Sequence, residues 1–124
     1  MEGIVKGNPE LSVNERSFLD GSRRGVVKLE SAAVGWGNYS PGWKWSEHAG
    51  RQTGKPSQTH IGYVLSGQME IQTADGQETV VHAGEAFEVG PGHDAWVVGD
   101  TPCVALDFEH MGSVDRAATE EDKG

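Results

Sequence analysis

Apolar and polar residues alternate along many short segments of the chain, and glycine-rich turns separate these segments. A period of two is typical of strands that bury one face, because successive side chains point to opposite sides of a sheet. The pattern predicts strands over residues 26–30, 35–39, 43–48, 60–65, 68–73, 77–82, 86–89, 95–98 and 103–108. Short strands joined by such turns, with no convincing long helix, indicate an all-β sandwich or barrel.

The segment from Gly84 to Trp96 is the most informative part of this pattern. It predicts a turn, a short strand, a Gly-Pro-Gly bend and a second strand. A bend with little side chain lets a polar residue point inward where strands meet, and His93 and Asp94 come directly after the bend. The segment therefore raises the question of whether His93 binds a metal.

Two neighbouring segments also bear on a possible site. A flat strand over 43–48 would divide its residues between two faces: Trp43, Trp45 and Glu47 on one, and Lys44, Ser46 and His48 on the other. Residues 49–59 contain no large apolar side chain and predict a loop. The loop is long for a compact domain, and long loops near strand ends are often functional.

The length of 124 residues predicts one domain. Residues 1–24 are polar and predict an N-terminal arm, in which Pro9 to Phe18 is a possible helix. Residues 25–110 predict the barrel domain. Residues 111–124 are small, polar and charged, and they predict a disordered acidic tail.

Composition narrows the class of function and location. The net charge of -9 argues against nucleic-acid binding, which needs a basic surface. Cys103 is the only cysteine, so no intrachain disulfide is possible, as suits a reducing cytosol. No apolar run is long enough for a signal peptide or a membrane span, so we expect a cytoplasmic protein.

The residues from about 42 to 98 resemble the cupins, small β-barrels of the jelly-roll type. The first cupin motif is G-x5-H-x-H-x3/4-E-x6-G. Gly42 and His48 match its opening, and His60 and Gly67 match its closing half, with His60 in place of the usual glutamate. Gly50 falls where the second histidine would be, and the gap between the two halves is longer than the motif allows.

The second cupin motif is G-x5-P-x-G-x2-H-x3-N. Gly84 and Gly92 match it at the right separation, while the proline falls one position late and literal counting puts the histidine at Ala95. His93 lies two residues before Ala95, so the two share one face of a regular strand, and Asp94 points away. We therefore expect His93, rather than Asp94, to face the cavity.

The resemblance implies a metal ion inside the barrel, where cupins usually hold it with three histidines and one glutamate. By position, the metal ligands in this chain are His48, His60 and His93, of which His60 is the strongest candidate. Imidazole suits several metals, so the ion is a divalent Zn, Fe, Ni, Mn or Cu whose identity these residues do not choose. The alternative is a cupin without a metal that binds or senses a small molecule.

The resemblance further implies a metal-dependent protein that acts on a small organic molecule, with oxygenase, isomerase and lyase chemistry all open. Glu47 or Asp94 would handle protons as the catalytic residues. Tyr39 and Tyr63 are further possible acids or bases, although Tyr63 is more typical of strand packing. Cupins often form homodimers, so we expect one here, with no nucleic-acid or membrane partner.

Overall fold

The computed structural model describes residues 3–11, 16–18, 20–50 and 57–110. The predicted tail over 111–124 and residues 51–56 of the predicted loop lie outside this part of the chain. In the described residues, a short 3₁₀ helix over Pro9–Leu11 precedes nine strands. They are β1 (Arg16–Ser17), β2 (Arg23–Lys28), β3 (Ala32–Tyr39), β4 (His60–Ser66), β5 (Gln68–Gln72), β6 (Glu78–His82), β7 (Ala86–Val89), β8 (Asp94–Val97) and β9 (Cys103–His110).

The strands form two antiparallel sheets that face each other. One is six-stranded, in the order β1-β2-β3-β9-β4-β7, and the other is three-stranded, in the order β6-β5-β8. Strand β9, near the end of the described chain, lies between β3 and β4 and so joins the two halves of the larger sheet. These sheets confirm the predicted all-β jelly-roll class.

The core lies between the sheets and is built from alternate residues of facing strands. Val64 and Cys103 are completely enclosed. Met69, Ile71, Ala95 and Val97 of the three-stranded sheet are buried as well. No helix in the described part of the chain is both long enough and apolar enough to span a membrane.

The predicted strand over 43–48 is wrong. Only Lys44 is paired, through an isolated bridge to Trp96, and the chain then turns. The His48 amide donates to the Lys44 carbonyl (2.9 Å) and the Gly50 amide to the Trp45 carbonyl (2.6 Å). Local hydrogen bonds therefore replace a strand ladder, and the division of this segment into two strand faces does not apply.

The N-terminal segment also departs from the possible helix over Pro9 to Phe18. The 3₁₀ helix ends at Leu11, and residues 16 and 17 already belong to β1. Phe18 is buried, and its ring packs edge-on against Trp43 at 6.0 Å. Strand β2 starts at Arg23, so Arg23 and Arg24 join Arg16 of β1 as residues of the predicted arm that lie in the larger sheet.

Candidate functional site

A cavity of about 230 Å³ lies between the two sheets. Its walls combine ten aromatic or apolar side chains with seven polar ones. The polar residues are Arg24, Tyr39, Ser57, Gln58, His60, His93 and Asp107. The other lining residues are Phe18, Trp43, Trp45, Ala49, Met69, Ile71, Phe87, Ala95, Ala105 and Leu106.

Arg24 of β2 and Asp107 of β9 form an ion pair in the cavity wall. The Arg24 Nη2 donates to Asp107 Oδ1 at 2.7 Å and to Oδ2 at 2.6 Å, and Nε donates to Oδ2 at 3.2 Å. The two side chains are 27% and 13% exposed. Such forked contacts fix both groups in position and neutralise their charges.

Two glycines of β3 make room for this ion pair. Strand β3 runs between β2 and β9, with Gly37 beside Arg24 and Gly35 beside Asp107. A Cβ on Gly35 would lie 2.7 Å from Arg24 Nη2 and would overlap the Asp107 carboxylate. Glycine inside a strand often marks such a close approach, so β3 is shaped to let Arg24 and Asp107 meet across it.

His60 is the first residue of β4 and lies beside the Arg24–Asp107 ion pair. Its Nε2 is 3.5 Å from Asp107 Oδ2, and its ring stacks parallel to that of Phe87 at 6.1 Å. Burial lowers the pKa of His60, and the Asp107 carboxylate opposes this effect, while Arg24 and His93 add to it. The imidazole is therefore neutral at pH 7 and can act as a hydrogen-bond donor and acceptor.

His93 follows the Gly-Pro-Gly bend and is buried. Its Nδ1 is 2.9 Å from the Gly90 carbonyl, so Nδ1 carries a proton and donates it to that oxygen. The Ser57 hydroxyl donates to the His93 carbonyl at 2.6 Å and holds this backbone in place. The rings of His60 and His93 are 5.9 Å apart, so the two histidines share the same end of the cavity.

Tyr39, the last residue of β3, completes the polar wall. Burial raises the pKa of Tyr39 to about 12, although the Arg24 guanidinium acts in the opposite direction. The phenol therefore keeps its proton at neutral pH. Its ring packs against Trp43 at 4.4 Å, and the Trp43 Nε1 is buried without a hydrogen-bond partner among the described residues.

The structure brings together two of the three predicted metal ligands. His60 and His93 line the cavity, whereas His48 does not. The His48 Nδ1 accepts a hydrogen bond from the Lys44 amide at 3.0 Å, and its Nε2 lies 3.9 Å from Asp20. In the described part of the chain, no three His, Cys, Asp or Glu side chains are grouped so that they could hold a metal ion.

The two predicted catalytic carboxylates also lie outside the cavity. Glu47 is exposed and lines a separate groove with Lys44 and Trp96. Asp94 begins β8, and its Oδ1 accepts hydrogen bonds from the amides of Ser46 (3.0 Å) and Ala95 (2.9 Å). Asp94 thus holds the turn that begins at Trp45 in place. Neither carboxylate lines the cavity.

Sequence reasoning did not identify Arg24 and Asp107. One signal was available for Asp107, because it is the only charged residue in the predicted strand 103–108 and shares a face with Cys103 and Ala105. A second signal was the pair of glycines in the strand before Tyr39. Arg24 carried no such signal, because it fell within the predicted arm.

Comparisons with known proteins agree with this architecture. A family model described as a cupin domain matches residues 41–109, which is more than half of the chain. No curated protein matches the sequence significantly.

Solved structures with the same fold include KdgF from Halomonas sp., with a TM-score of 0.61, 21% identity, and coverage of 88% of this chain and 94% of that chain. An RmlC-like cupin from Shewanella frigidimarina has a TM-score of 0.59 and 16% identity, and the match covers 84% of this chain and 87% of that chain. A structure described under DMSP lyases RdDddP and RnDddQII has a TM-score of 0.60 and 15% identity, and the match covers 77% of this chain and 50% of that chain. At these identities the likeness concerns the fold alone.

Proposed function

The chain belongs to the cupin domain family, and we propose that it binds a small organic molecule in the cavity between its sheets. The observation that carries this proposal is the position of the Arg24–Asp107 ion pair in the wall of an otherwise largely apolar cavity. Ligand sites typically combine an apolar lining with a few well-placed polar groups. A buried ion pair is weak evidence for stability, so its position beside a cavity favours a role in binding.

The polar wall offers distinct hydrogen-bonding groups to a bound molecule. The phenol of Tyr39 is a donor, the neutral imidazole of His60 can donate or accept, and His93, held through Nδ1, has its Nε2 left for a ligand. Because Arg24 and Asp107 hold each other in place, the neighbouring groups keep fixed positions. A ligand would therefore meet a wall that needs little rearrangement.

Nuclear magnetic resonance with four probe molecules tests this proposal. The probes are cyclohexanol, benzyl alcohol, benzoate and myo-inositol, and the readout is the indole N–H signal of each tryptophan. Trp43 and Trp45 line the cavity, so at least one probe should shift their signals. Trp36 and Trp96 pack under the charged groups of Arg23 and Lys44 on outer faces, so their signals should stay unchanged.

A matched pair of variants locates the binding. Ala105 lines the cavity, and the neighbouring Val104 points to the opposite face of β9. Ala105→Leu should fill the cavity and remove the shifts, whereas Val104→Leu should keep them. Undiminished shifts in a folded Ala105→Leu protein would contradict binding in this cavity.

A divalent metal in the same cavity is the second candidate, and it is favoured by the closeness of His60 and His93. The His93 ring also donates Nδ1–H to a backbone carbonyl, as metal-binding histidines commonly do. His48 lies elsewhere and the described residues gather no group of three ligands, so we assign no step to a metal. Metal content of protein purified without an affinity tag, before and after His60→Ala, tests this candidate. Less than about a tenth of an equivalent, unchanged by reconstitution, would rule it out.

We also propose a homodimer formed through the outer face of the six-stranded sheet. Four large apolar side chains on this face are between 37% and 46% exposed: Ile61, Tyr63, Leu65 and Phe108. Ile61 pairs with Phe108 in the sheet, and Tyr63 pairs with Leu106, so the residues are contiguous. A contiguous exposed apolar patch is typical of an interaction surface.

We keep the cytoplasm as the proposed location, because the single cysteine, Cys103, is free and buried. The net charge of -9 supports small-molecule partners over nucleic acid. The division into an arm (1–24), a barrel (25–110) and a tail (111–124) likewise stays a proposal.

A further inference from the structure

The two sheets give the cavity walls of opposite polarity. The six-stranded sheet contributes four polar side chains, those of Arg24, Tyr39, His60 and Asp107, beside the apolar Phe87, Ala105 and Leu106. The facing three-stranded sheet contributes only apolar side chains, those of Met69, Ile71 and Ala95. A molecule between the sheets therefore meets most of its hydrogen-bonding groups on the side of the six-stranded sheet, while the strands of the facing sheet offer none and His93 adds one at the end of the cavity.

The charged groups of the polar wall already balance each other. Arg24 contributes one positive charge and Asp107 one negative charge, and Arg24 contacts both carboxylate oxygens. A charged ligand would add an unpaired charge to a partly enclosed, largely apolar space, which is unfavourable. A neutral ligand would leave the ion pair intact.

We propose that the ligand is a small neutral molecule with a hydrogen-bonding group at one end and an apolar ring or chain at the other. This inference rests on the proposed function and specifies the ligand class of the same cavity. The polar end contacts the wall formed by Tyr39, His60 and the Arg24–Asp107 pair. The apolar body packs against Met69 and Ile71.

The geometry disfavours a molecule that is polar on all sides, such as a sugar. Hydroxyl groups facing Met69, Ile71 and Ala95 would lose their water without gaining a partner. Each hydroxyl buried in this way lowers affinity by about ten- to a hundredfold. The cavity is thus selective for the distribution of polar groups as well as for size.

Two probe pairs test the inference on the wild-type protein, through the indole signals of Trp43 and Trp45. Cyclohexanol and myo-inositol share a six-carbon ring and differ in having one or six hydroxyl groups. Cyclohexanol should bind at least about tenfold more tightly than myo-inositol, since one hydroxyl can face the polar wall. Benzyl alcohol should likewise bind more tightly than benzoate, since it is uncharged.

The possible outcomes separate this inference from the proposed function. The ligand class would be overturned if myo-inositol bound as tightly as cyclohexanol or more tightly. It would also be overturned if benzoate bound as tightly as benzyl alcohol or more tightly. In both cases binding in the cavity would still stand. No shift of Trp43 or Trp45 with any of the four probes would overturn both.

A variant of the apolar wall gives a second, independent readout. Met69→Gln keeps the length of the side chain and places an amide opposite the polar wall. It should reduce the preference for cyclohexanol over myo-inositol at least about threefold, because some hydroxyls gain a partner. Val80→Thr, on the outer side of the same sheet, should leave the preference unchanged. An unaltered preference in a folded Met69→Gln protein would contradict the proposed orientation, and the wild-type comparison decides the ligand class if Met69→Gln does not fold.

Discussion

Asp107 is the residue through which the polar groups of the cavity are connected. It binds Arg24 through both oxygens and lies 3.5 Å from the Nε2 of His60. Removing one member of a buried ion pair leaves an uncompensated charge, whereas removing both often costs little. Stability and ligand binding should therefore respond differently to single and double substitutions.

Arg24→Met should lower the free energy of unfolding by about 3 kcal/mol, because Asp107 would be left buried without its partner. The double variant Arg24→Met with Asp107→Leu should recover most of this loss. Urea unfolding followed by tryptophan fluorescence measures both values. Probe binding should be weakened in both variants, since each lacks the intact ion pair of the polar wall. A double variant as unstable as Arg24→Met would contradict the account of an unpaired charge.

Tyr39 gives a pH prediction whose sign follows from its burial. Burial raises the pKa of Tyr39 from its ordinary value of 10.0 to about 12. A group with a raised pKa stabilises the fold fully below the unfolded pKa, and this stabilisation is lost as the pH rises toward the folded pKa. The stabilisation that comes from the buried phenol is therefore lost between pH 10 and about pH 12. Ultraviolet titration should show a tyrosine component near pH 12 that is absent from Tyr39→Phe, and its persistence in that variant would contradict the assignment.

Strand β3 is the element that makes the polar wall possible. Its inward residues include Gly35 and Gly37, and the missing side chains leave space for Asp107, Arg24 and Tyr39. A side chain at Gly35 should therefore act mainly through the carboxylate that it meets. Strands β3 and β9 are therefore coupled through this contact, and a double-mutant cycle measures the coupling.

Gly35→Ala should lower the free energy of unfolding by about 1–3 kcal/mol, the usual range for overpacking. The same change in an Asp107→Ala background should cost markedly less, because the group in its way is gone. Gly90→Ala is the control, since no atom lies within 4 Å of a Cβ there. Additive effects of Gly35→Ala and Asp107→Ala in chemical denaturation would show that β3 does not create this space.

The elements that sequence reasoning found are those with a local signal. Strands such as β4 and β7 follow directly from residue alternation and from the turns that bound them. The turn that begins at Trp45 was missed, because a buried and a half-buried tryptophan separated by a polar residue fit a turn as well as a strand. The Arg24–Asp107 pair joins residues 83 positions apart, and it depends on β9 lying between β3 and β4. Alternation within a strand carries no information on that sheet order.

At the scale of the whole molecule, the outer face of the six-stranded sheet stands apart from the rest of the surface. The chain has a net charge of -9, so two copies repel each other in most orientations. The exposed side chains of Ile61, Tyr63, Leu65 and Phe108 carry no charge. Two such faces can meet around a two-fold axis, where the same patch on both copies is buried.

Ile61→Glu should convert a dimer to a monomer, because a two-fold contact would bury the new carboxylate from both copies. Size-exclusion chromatography with light scattering measures the mass of the wild-type protein and of this variant. Thr79→Glu, which adds the same charge to an exposed position of the three-stranded sheet, should leave the mass unchanged. The cavity lies between the sheets, on the other side of the larger sheet from this face. Ile61→Glu should therefore keep the probe-induced shifts of Trp43 and Trp45. A wild-type protein with the mass of one chain at every concentration tested, or a dimer that survives Ile61→Glu, would show that this face is not the interface.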